Sequence, residues 1–213
     1  MNFSPKALYP ELRPSLFDLF MIVTLLREVP VLNKIIYGLG VIRAGGLYEK
    51  INKLLNKKDE ILDIGAGPCN LIEILRNKGY TVTGIDVQNI SFVKGINPII
   101  FDGKIIPFPD DSFDVSLLLT VLHHVKNPRK LILEAKRVSR RIVIIEDTYG
   151  NLLEKFLTYF FDSLINLEFA GHPHSNKSDA EWKKEFERLG LKLLFSEEYR
   201  FLGFRNATYL LEK

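Results

Sequence analysis

The chain has 213 residues, 46% hydrophobic and 26% charged, as is ordinary for one soluble α/β domain with an added element. The formal net charge of +3 comes from basic residues spread along the chain, so we expect no nucleic-acid partner. The single cysteine, Cys69, excludes an internal disulfide framework and fits a reducing compartment. The first residues lack the basic start and apolar core of a signal peptide, so we expect a cytoplasmic protein.

Residues 1–47 are predicted to form two or three helices that cap the domain, and residues 48–213 to form its main body. Leu16–Leu26 is strongly apolar, but it contains Asp18 and is shorter than the ~18–20 residues that a membrane span requires. We interpret it as a helix that packs over the active-site face. An interfacial helix that touches lipid or an apolar substrate is the alternative.

The segment ILDIGAGPCN, Ile61–Asn70, predicts a buried strand, a tight glycine turn and the start of a helix. Gly65 and Gly67 let the backbone approach a ligand where a Cβ would clash. The helix start presents free N–H groups to that ligand. The sequence therefore predicts a nucleotide-like ligand at this loop.

Helical and strand patterns alternate along the following residues, which predicts a doubly wound parallel sheet. A short helical segment is predicted within residues 47–56. The predicted strands cover residues 60–64, 81–85, 99–101, 113–119 and 141–145, and the helices between them cover 68–78 and 128–138. An insertion at residues 151–177 follows, with an aromatic helix over 151–169 and a polar loop. A helix capped by Ser178 or Asp179 and two final strands, 191–197 and 203–211, complete the chain.

Two kinds of ligand are considered for the glycine loop, a dinucleotide and S-adenosylmethionine. A dinucleotide fingerprint requires a third glycine or alanine, and Asn70 stands at that position. Asp63 lies inside the strand, two residues before the first glycine, where a carboxylate is costly to bury without a partner. A pyrophosphate would repel this acid, whereas the ammonium group of S-adenosylmethionine would attract it. The acid therefore favours S-adenosylmethionine.

From about residue 60 to residue 147 the chain resembles the class I S-adenosylmethionine-dependent methyltransferases, in particular their type 11 small-molecule group. Besides the glycine loop, the resemblance is carried by the segments 80–86 (YTVTGID), 98–103 (PIIFDG), 107–119 (PFPDDSFDVSLLL) and 120–125 (TVLHHV). It implies a Rossmann-like, doubly wound, seven-stranded sheet with a late antiparallel hairpin, an N-terminal helical cap and a helical insertion after strand five. Pro68 and Cys69 stand where many members have a small residue or glycine, and we interpret Cys69 as a packing residue.

The resemblance also implies a set of S-adenosylmethionine contacts at the carboxyl ends of the strands. Asp63 would hold the ammonium group, Asp86 the ribose hydroxyls, and Asp102 with the Gly103 N–H the adenine. Leu119 and Thr120 would flank the sulfonium. The full predicted set is Asp63, Gly65, Ala66, Gly67, Asp86, Val87, Asp102, Gly103, Leu119 and Thr120. For Asp86 and Asp102 a plain turn role is the alternative.

Four histidines form two pairs, His123 with His124 and His172 with His174, that the predicted topology puts at one rim. Histidine titrates near neutral pH and suits removal of a proton from an acceptor. We therefore name as candidate bases His124, His172 and His174. By default the first pair fixes its loop and the second is part of a lid. An H-x-H pattern without cysteine or a firm carboxylate is a poor zinc signal, so no metal site is predicted.

The leading hypothesis is an enzyme that transfers a methyl group to a small, fairly apolar molecule. A lipid-like acceptor at a membrane surface, a cofactor-binding module without turnover and a nicotinamide dehydrogenase are the alternatives. Glu146, Asp147 and Tyr149 at the end of strand five are further rim candidates. The sequence identifies neither the acceptor nor the oligomeric state.

Overall fold

A computed structural model describes residues 28–150, 154, 176–201 and 204–213. In this part of the chain, the helices are α1 (Pro30–Ile51), α2 (Asn70–Asn77), α3 (Pro128–Val138) and α4 (Asp179–Arg188), with short 3-10 turns at Asn52–Leu54 and Leu122–His124. The strands are β1 (Glu60–Ile64), β2 (Thr81–Asp86), β3 (Ile99–Ile100), β4 (Phe113–Leu119), β5 (Ser139–Thr148), β6 (Lys192–Phe201) and β7 (Phe204–Glu212).

The seven strands form one sheet in the order β3-β2-β1-β4-β5-β7-β6. The first five strands run parallel, whereas β7 pairs antiparallel with both β5 and β6. The order reverses direction beside β1, and ligands of open α/β sheets bind at such a switch point. The predicted doubly wound, Rossmann-like sheet with a late antiparallel hairpin is thereby confirmed.

The central strands are buried on both faces, as expected for a sheet covered by helices on two sides. On one face, β-sheet residues such as Ile64, Leu118 and Ile144 pack with α3 and α4. On the other face, Ile61 and Leu117 pack with α1 and α2. Helices α1 and α2 on this second face lie beside the glycine loop and the end of β4.

Helix α1 is the part of the predicted cap that the structure describes, and the predicted helix at Leu16–Leu26 lies outside the described residues. None of the helices in the described ranges has the length and hydropathy of a membrane span. Helix α1 runs without interruption through Gly38 and Gly40, which its sequence pattern marks as helix breakers, and it crosses the predicted boundary at residue 47. Gly40 is tolerated because it lies against α2, where an added Cβ would overlap the side-chain oxygen of Asn70. Close helix packing thus outweighs the low helix propensity of glycine.

The remaining elements lie within a few residues of their predicted bounds. Ser178 caps α4 by accepting a hydrogen bond from the Glu181 N–H, and Glu181 reaches back to the Ser178 N–H in a capping box. The predicted aromatic helix at 151–169 and the polar loop after it lie outside the described residues, apart from Glu154 and the residues from Asn176 onward.

Candidate active site

Asp63 lies near the carboxyl end of β1, in register with Gly84 of β2 and Leu117 of β4. The residue is only 4% exposed. Burial, together with the nearby charge of Asp86, raises the pKa of Asp63 to about 7. Within the described part of the chain no side chain of opposite charge compensates this carboxylate. A cation placed beside it would favour its charged form.

The glycine loop after β1 needs both of its glycines. Gly65 has a φ of 78°, and a Cβ there would lie 2.6 Å from the Val121 Cγ2 atom. Gly67 has a φ of 52°, and a Cβ there would meet nothing closer than 3.9 Å, so this position borders open space. The loop is tied to β2, because the N–H groups of Gly65 and Ala66 both donate to the Ile85 carbonyl oxygen, at 2.9 and 3.1 Å.

Asp86, the last residue of β2, is joined to the glycine loop. Its Oδ2 atom accepts a hydrogen bond from the Gly67 N–H at 2.8 Å, and its Oδ1 atom accepts one from the Gln88 N–H at 3.3 Å. Burial raises the pKa of Asp86, and these backbone hydrogen bonds counteract that rise. The carboxylate is therefore fixed in orientation beside the open side of the loop.

Asp102 and Gly103, the next two residues of the predicted site, follow β3, which lies beside the end of β2. The Phe101 N–H donates to the Asp86 carbonyl oxygen at 3.0 Å, and a Cβ on Gly103 would lie 3.0 Å from the Val87 Cγ1 atom. Asp102 is exposed, and its Oδ1 atom accepts from the N–H groups of Lys104 and Ile105, at 2.8 and 3.0 Å. These hydrogen bonds lower its pKa. Asp102 therefore closes a turn, while its contact with adenine stays a prediction.

Thr120 follows β4 in a left-handed conformation, with a φ of 56° that is uncommon for a β-branched residue. Its N–H donates to the Ile145 carbonyl oxygen at 2.7 Å, and its hydroxyl donates to the Leu119 carbonyl oxygen at 2.7 Å. The same hydroxyl accepts from the Nη2 atom of Arg43 at 2.7 Å. The structure thus brings a guanidinium group from α1 to the end of β4.

Arg43 is a candidate that sequence reasoning missed. It lies on α1, 20 positions before Asp63 in the chain, and no local motif links the two residues. The available signal was an isolated basic residue in an otherwise apolar stretch before the first strand. Such a residue gives no indication of which strand end it will reach.

The loop after β4 is held by Glu146, which is fully buried at the end of β5. Its Oε1 atom accepts from the N–H groups of Val121 and Leu122, at 2.9 and 2.7 Å, and its Oε2 atom lies 2.6 Å from the His123 Nδ1 atom. The sequence predicts Glu146 at the rim of the site, but its side chain is buried and holds the loop after β4. His123 is buried as well, in agreement with its default role.

The structure describes one of the three candidate bases, His124. His124 is exposed, and its ring centroid lies 4.0 Å from that of His123. His172 and His174 lie outside the described residues. Tyr149 is turned toward α4, where its hydroxyl donates to Glu181 at 2.9 Å. A catalytic role for any of the three histidines stays a prediction.

Cys69 packs beneath the loop. It is fully buried in a left-handed conformation with a φ of 62°, and its Sγ atom lies 3.7 Å from the Gly67 carbonyl oxygen. Burial raises the pKa of this thiol to about 11, so it stays protonated at neutral pH. These properties agree with the interpretation of Cys69 as a packing residue.

Known proteins are similar to this chain in sequence and in fold. Residues 62–144 match the family model described as a methyltransferase domain. A demethylmenaquinone methyltransferase of Tropheryma whipplei is 31% identical over 171 residues, covering 71% of this chain and 68% of that relative. The chain belongs to the class I S-adenosylmethionine-dependent methyltransferases. In this family S-adenosylmethionine is the cofactor.

Two further proteins are similar to this methyltransferase. An uncharacterized protein of Methanocaldococcus jannaschii is 38% identical over 80 residues, and the match spans 38% of this chain and 39% of the length of that relative. A crystal structure of an S-adenosylmethionine-dependent methyltransferase from Methanosarcina mazei has the same fold, with a TM-score of 0.61 and 20% identity. It aligns with 78% of this chain and 97% of its own.

The described residues fit the cofactor of the family. An ammonium group beside Asp63 would offset the cost of burying that carboxylate, and a ribose beside Asp86 would find an oriented acceptor. Gly67 borders open space, which leaves room for the cofactor. No phosphate is required, in agreement with the absence of a third glycine at position 70.

Proposed function

We propose that this methyltransferase transfers the methyl group of S-adenosylmethionine to a small, fairly apolar acceptor. The observation that carries the proposal is the similarity to a demethylmenaquinone methyltransferase, whose named acceptor is an apolar quinone. Apolar side chains at the end of β4 support it, because Leu119 and Val121 lie beside the glycine loop. A lipid-like acceptor at a membrane surface is the second candidate, favoured by exposed apolar residues of α1.

The cofactor supplies a methyl group bound to a positively charged sulfur, which makes the carbon electrophilic. In this proposal the protein therefore needs to align the reactants rather than form a covalent intermediate. Asp63 holds the ammonium group, and Asp86 holds the ribose hydroxyls. Alignment and exclusion of water contribute up to about 7–11 kcal/mol in well-oriented reactions. His124, at the exposed edge of the loop after β4, would accept a proton if the acceptor retains one at neutral pH.

The experiment that tests the proposal uses the full-length protein with methyl-labelled S-adenosylmethionine. We expect label in the organic phase when an extract of apolar metabolites, or a quinol with a free ring position, is offered. Excess S-adenosylhomocysteine should suppress this labelling. Label confined to water-soluble products, or no labelled product at all, would contradict the proposed acceptor class.

Asp86→Ala is expected to weaken the binding of S-adenosylhomocysteine by about 1.5–3 kcal/mol, the range for hydrogen bonds to a charged group. The variant removes the proposed ribose acceptor and also frees the Gly67 N–H. Isothermal titration calorimetry measures the change. Asp114→Ala, at the opposite end of the parallel strands, is the matched control and should bind like the native chain. An Asp86→Ala variant with native affinity would rule out the ribose role.

Arg43 is proposed to bind the carboxylate of the cofactor's amino-acid part. Its guanidinium is anchored to Thr120 at the end of β4, next to the strand that ends near Asp63. Arg43→Gln is therefore expected to raise the Kd for S-adenosylhomocysteine about tenfold, as expected for loss of one charged hydrogen-bonding partner. Lys34→Gln, a cation on the same helix, should leave the Kd unchanged. Equal values for the native chain and Arg43→Gln would contradict this role.

A further inference from the structure

Asn70, the first residue of α2, holds its side-chain amide buried without a partner. The residue is 1% exposed, and neither its Oδ1 nor its Nδ2 atom makes a hydrogen bond within the described part of the chain. An unpaired buried amide lowers the stability of a protein, so each such group needs a physical reason. Capping of α2 is not the reason, because the N-cap residue is Cys69 and no side-chain capping bond is made there. The amide is therefore available to a ligand.

The Asn70 amide lies at the N-terminal end of α2. Side chains of a helix tilt toward its N-terminus, so the amide of the first residue lies beside the N–H groups of the first turn. These N–H groups have no acceptor within a helix, and the helix dipole adds partial positive charge. The Glu73 carboxylate of the same turn already accepts from the Tyr37 hydroxyl at 2.9 Å. The donors at this end of α2 therefore suit an anionic group such as a carboxylate.

Helix α1 covers this end of α2 at Gly40. A Cβ on Gly40 would overlap the Oδ1 atom of Asn70 and would lie 3.4 Å from its Nδ2 atom. Arg43 follows one turn later on the same face of α1, and its Nη2 atom lies 2.7 Å from the Thr120 hydroxyl at the end of β4. This turn of α1 thus crosses the glycine loop from the start of α2 to the end of β4. It brings a guanidinium group close to the unpaired amide.

The groups at the two ends of the glycine loop differ in charge. Asp63, just before the loop, is a buried carboxylate that suits a cation. Asn70, just after the loop, and Arg43 above it are donors that suit an anion. The α-amino acid end of S-adenosylmethionine carries an ammonium group and a carboxylate on one carbon atom. The arrangement of donors and acceptor is complementary to that end of the cofactor.

We infer that the Asn70 amide donates a hydrogen bond to the α-carboxylate of the cofactor and makes the site selective for ligands that retain this group. The inference deepens the proposed function and rests on it for the roles of Asp63 and Arg43. Because Gly40 covers the amide, binding requires α1 to shift away from the start of α2. The carboxylate then supplies the acceptor that Nδ2 lacks in the cofactor-free chain.

Calorimetric titration of the full-length protein with S-adenosylhomocysteine and with its decarboxylated analogue tests the inference. Asn70→Ala should raise the Kd for S-adenosylhomocysteine about tenfold and that for the analogue less than about twofold, because only the first ligand loses a hydrogen bond to a charged group. Asn70→Asp has the same size but replaces the donor with an acid. It should raise the Kd for S-adenosylhomocysteine more than Asn70→Ala does, without raising that for the analogue.

Asn77→Ala is the matched control, since Asn77 is an exposed amide at the other end of α2. It should leave both Kd values unchanged.

Gly40→Ala is a second variant that retains the amide, and it keeps the inference testable if Asn70→Ala does not fold. Its Cβ would displace the Oδ1 atom of Asn70. We expect a higher Kd for S-adenosylhomocysteine and a nearly native Kd for the decarboxylated analogue. The double variant Gly40→Ala/Asn70→Ala should bind like Asn70→Ala alone, because no amide is left to displace.

Two results would overturn the inference. The first is a native Kd for S-adenosylhomocysteine in Asn70→Ala. The second is an equal rise for both ligands in Asn70→Ala or in Gly40→Ala, because the amide would then only shape the loop. If Arg43→Gln loses affinity selectively for the ligand with a carboxylate and Asn70→Ala does not, the inference fails while the proposed function stands. The titrations contain no acceptor, so failure of methyl transfer is observed separately.

Discussion

Replacing Glu146 with alanine is expected to lower the free energy of unfolding by about 3–5 kcal/mol, because each buried donor left without its acceptor costs about 1–3 kcal/mol. The variant would leave the N–H groups of Val121 and Leu122 and the Nδ1 atom of His123 without their acceptor. All of these groups are confined to the loop after β4, so water cannot replace the carboxylate without opening that loop. Urea denaturation followed by far-UV circular dichroism measures the change.

Glu212→Ala is the matched control for Glu146→Ala. Glu212 is 45% exposed in its side chain, and it pairs with Lys192 at 3.8 Å across the β6–β7 hairpin. An exposed ion pair of this kind contributes about 0–1 kcal/mol. If both variants unfold at the urea concentration of the native chain, the buried carboxylate does not hold the loop.

Loss of the Glu146 side chain should also disturb the cofactor site. Val121 packs against Gly65, and Thr120 anchors Arg43, so a loosened loop would release both contacts. We therefore expect Glu146→Ala to bind S-adenosylhomocysteine more weakly at temperatures where it is still folded. Glu146 acts in this way through the loop, as a positioning residue.

Affinity for S-adenosylhomocysteine is expected to rise about tenfold for each pH unit between pH 5 and pH 7, and then to level off. The cause is Asp63, whose pKa burial raises to about 7 in the cofactor-free protein. Below this pH the carboxyl is protonated, and an ammonium group gains no ion pair from it. Binding must therefore release one proton, which gives a slope of one on a logarithmic plot. Calorimetric titrations at four pH values measure it.

Asp63→Asn should bind weakly at every pH and should lose the slope. Asp102→Asn is the matched control, because the pKa of the exposed Asp102 is lowered and does not reach this range. The variant should therefore retain the slope. A native chain whose affinity is constant from pH 5 to pH 7 would contradict an ion pair between Asp63 and the cofactor.

The Asp63 carboxyl is also expected to affect folding, with the opposite sign: its contribution to stability should fall as the pH rises. Its pKa in the folded, cofactor-free chain lies above its ordinary value of 3.8, so the folded state binds the extra proton. The contribution to stability is fully present below about pH 4 and is lost as the pH rises through 7. The cofactor reverses this loss by pairing with the ionised form.

Local sequence patterns were sufficient to predict the sheet. The alternation of strands with helices predicted a doubly wound parallel sheet, and the continuous apolar run of β5 indicated that the sheet is covered on both faces. The loop from Asp63 to Gly67 was equally readable, since backbone conformation and burial there depend on neighbours in the chain. Asp86 followed from its position at the end of the next strand.

Long-range contacts were decided by the tertiary structure. Arg43 meets Thr120 across 77 positions, and Glu146 meets His123 across 23, and no periodicity encodes which strand end a side chain from another element will reach. Gly40 was misread for the same reason, because its role is defined by Asn70 of a different helix.

Helix α1 illustrates the division most clearly. Its sequence determines that it is largely apolar and helical, but apolar residues spread around the helix give no signal for which face turns inward. The packing of Gly40 on α2, together with the burial of Ala44 and Ile51, selects the inner face, and exposed apolar side chains such as Val31 and Ile42 remain on the other side. The sequence by itself thus determined the fold and the nature of the cofactor. The tertiary structure decided which side chains surround that cofactor and which apolar face remains exposed, because both depend on contacts between elements distant in the chain.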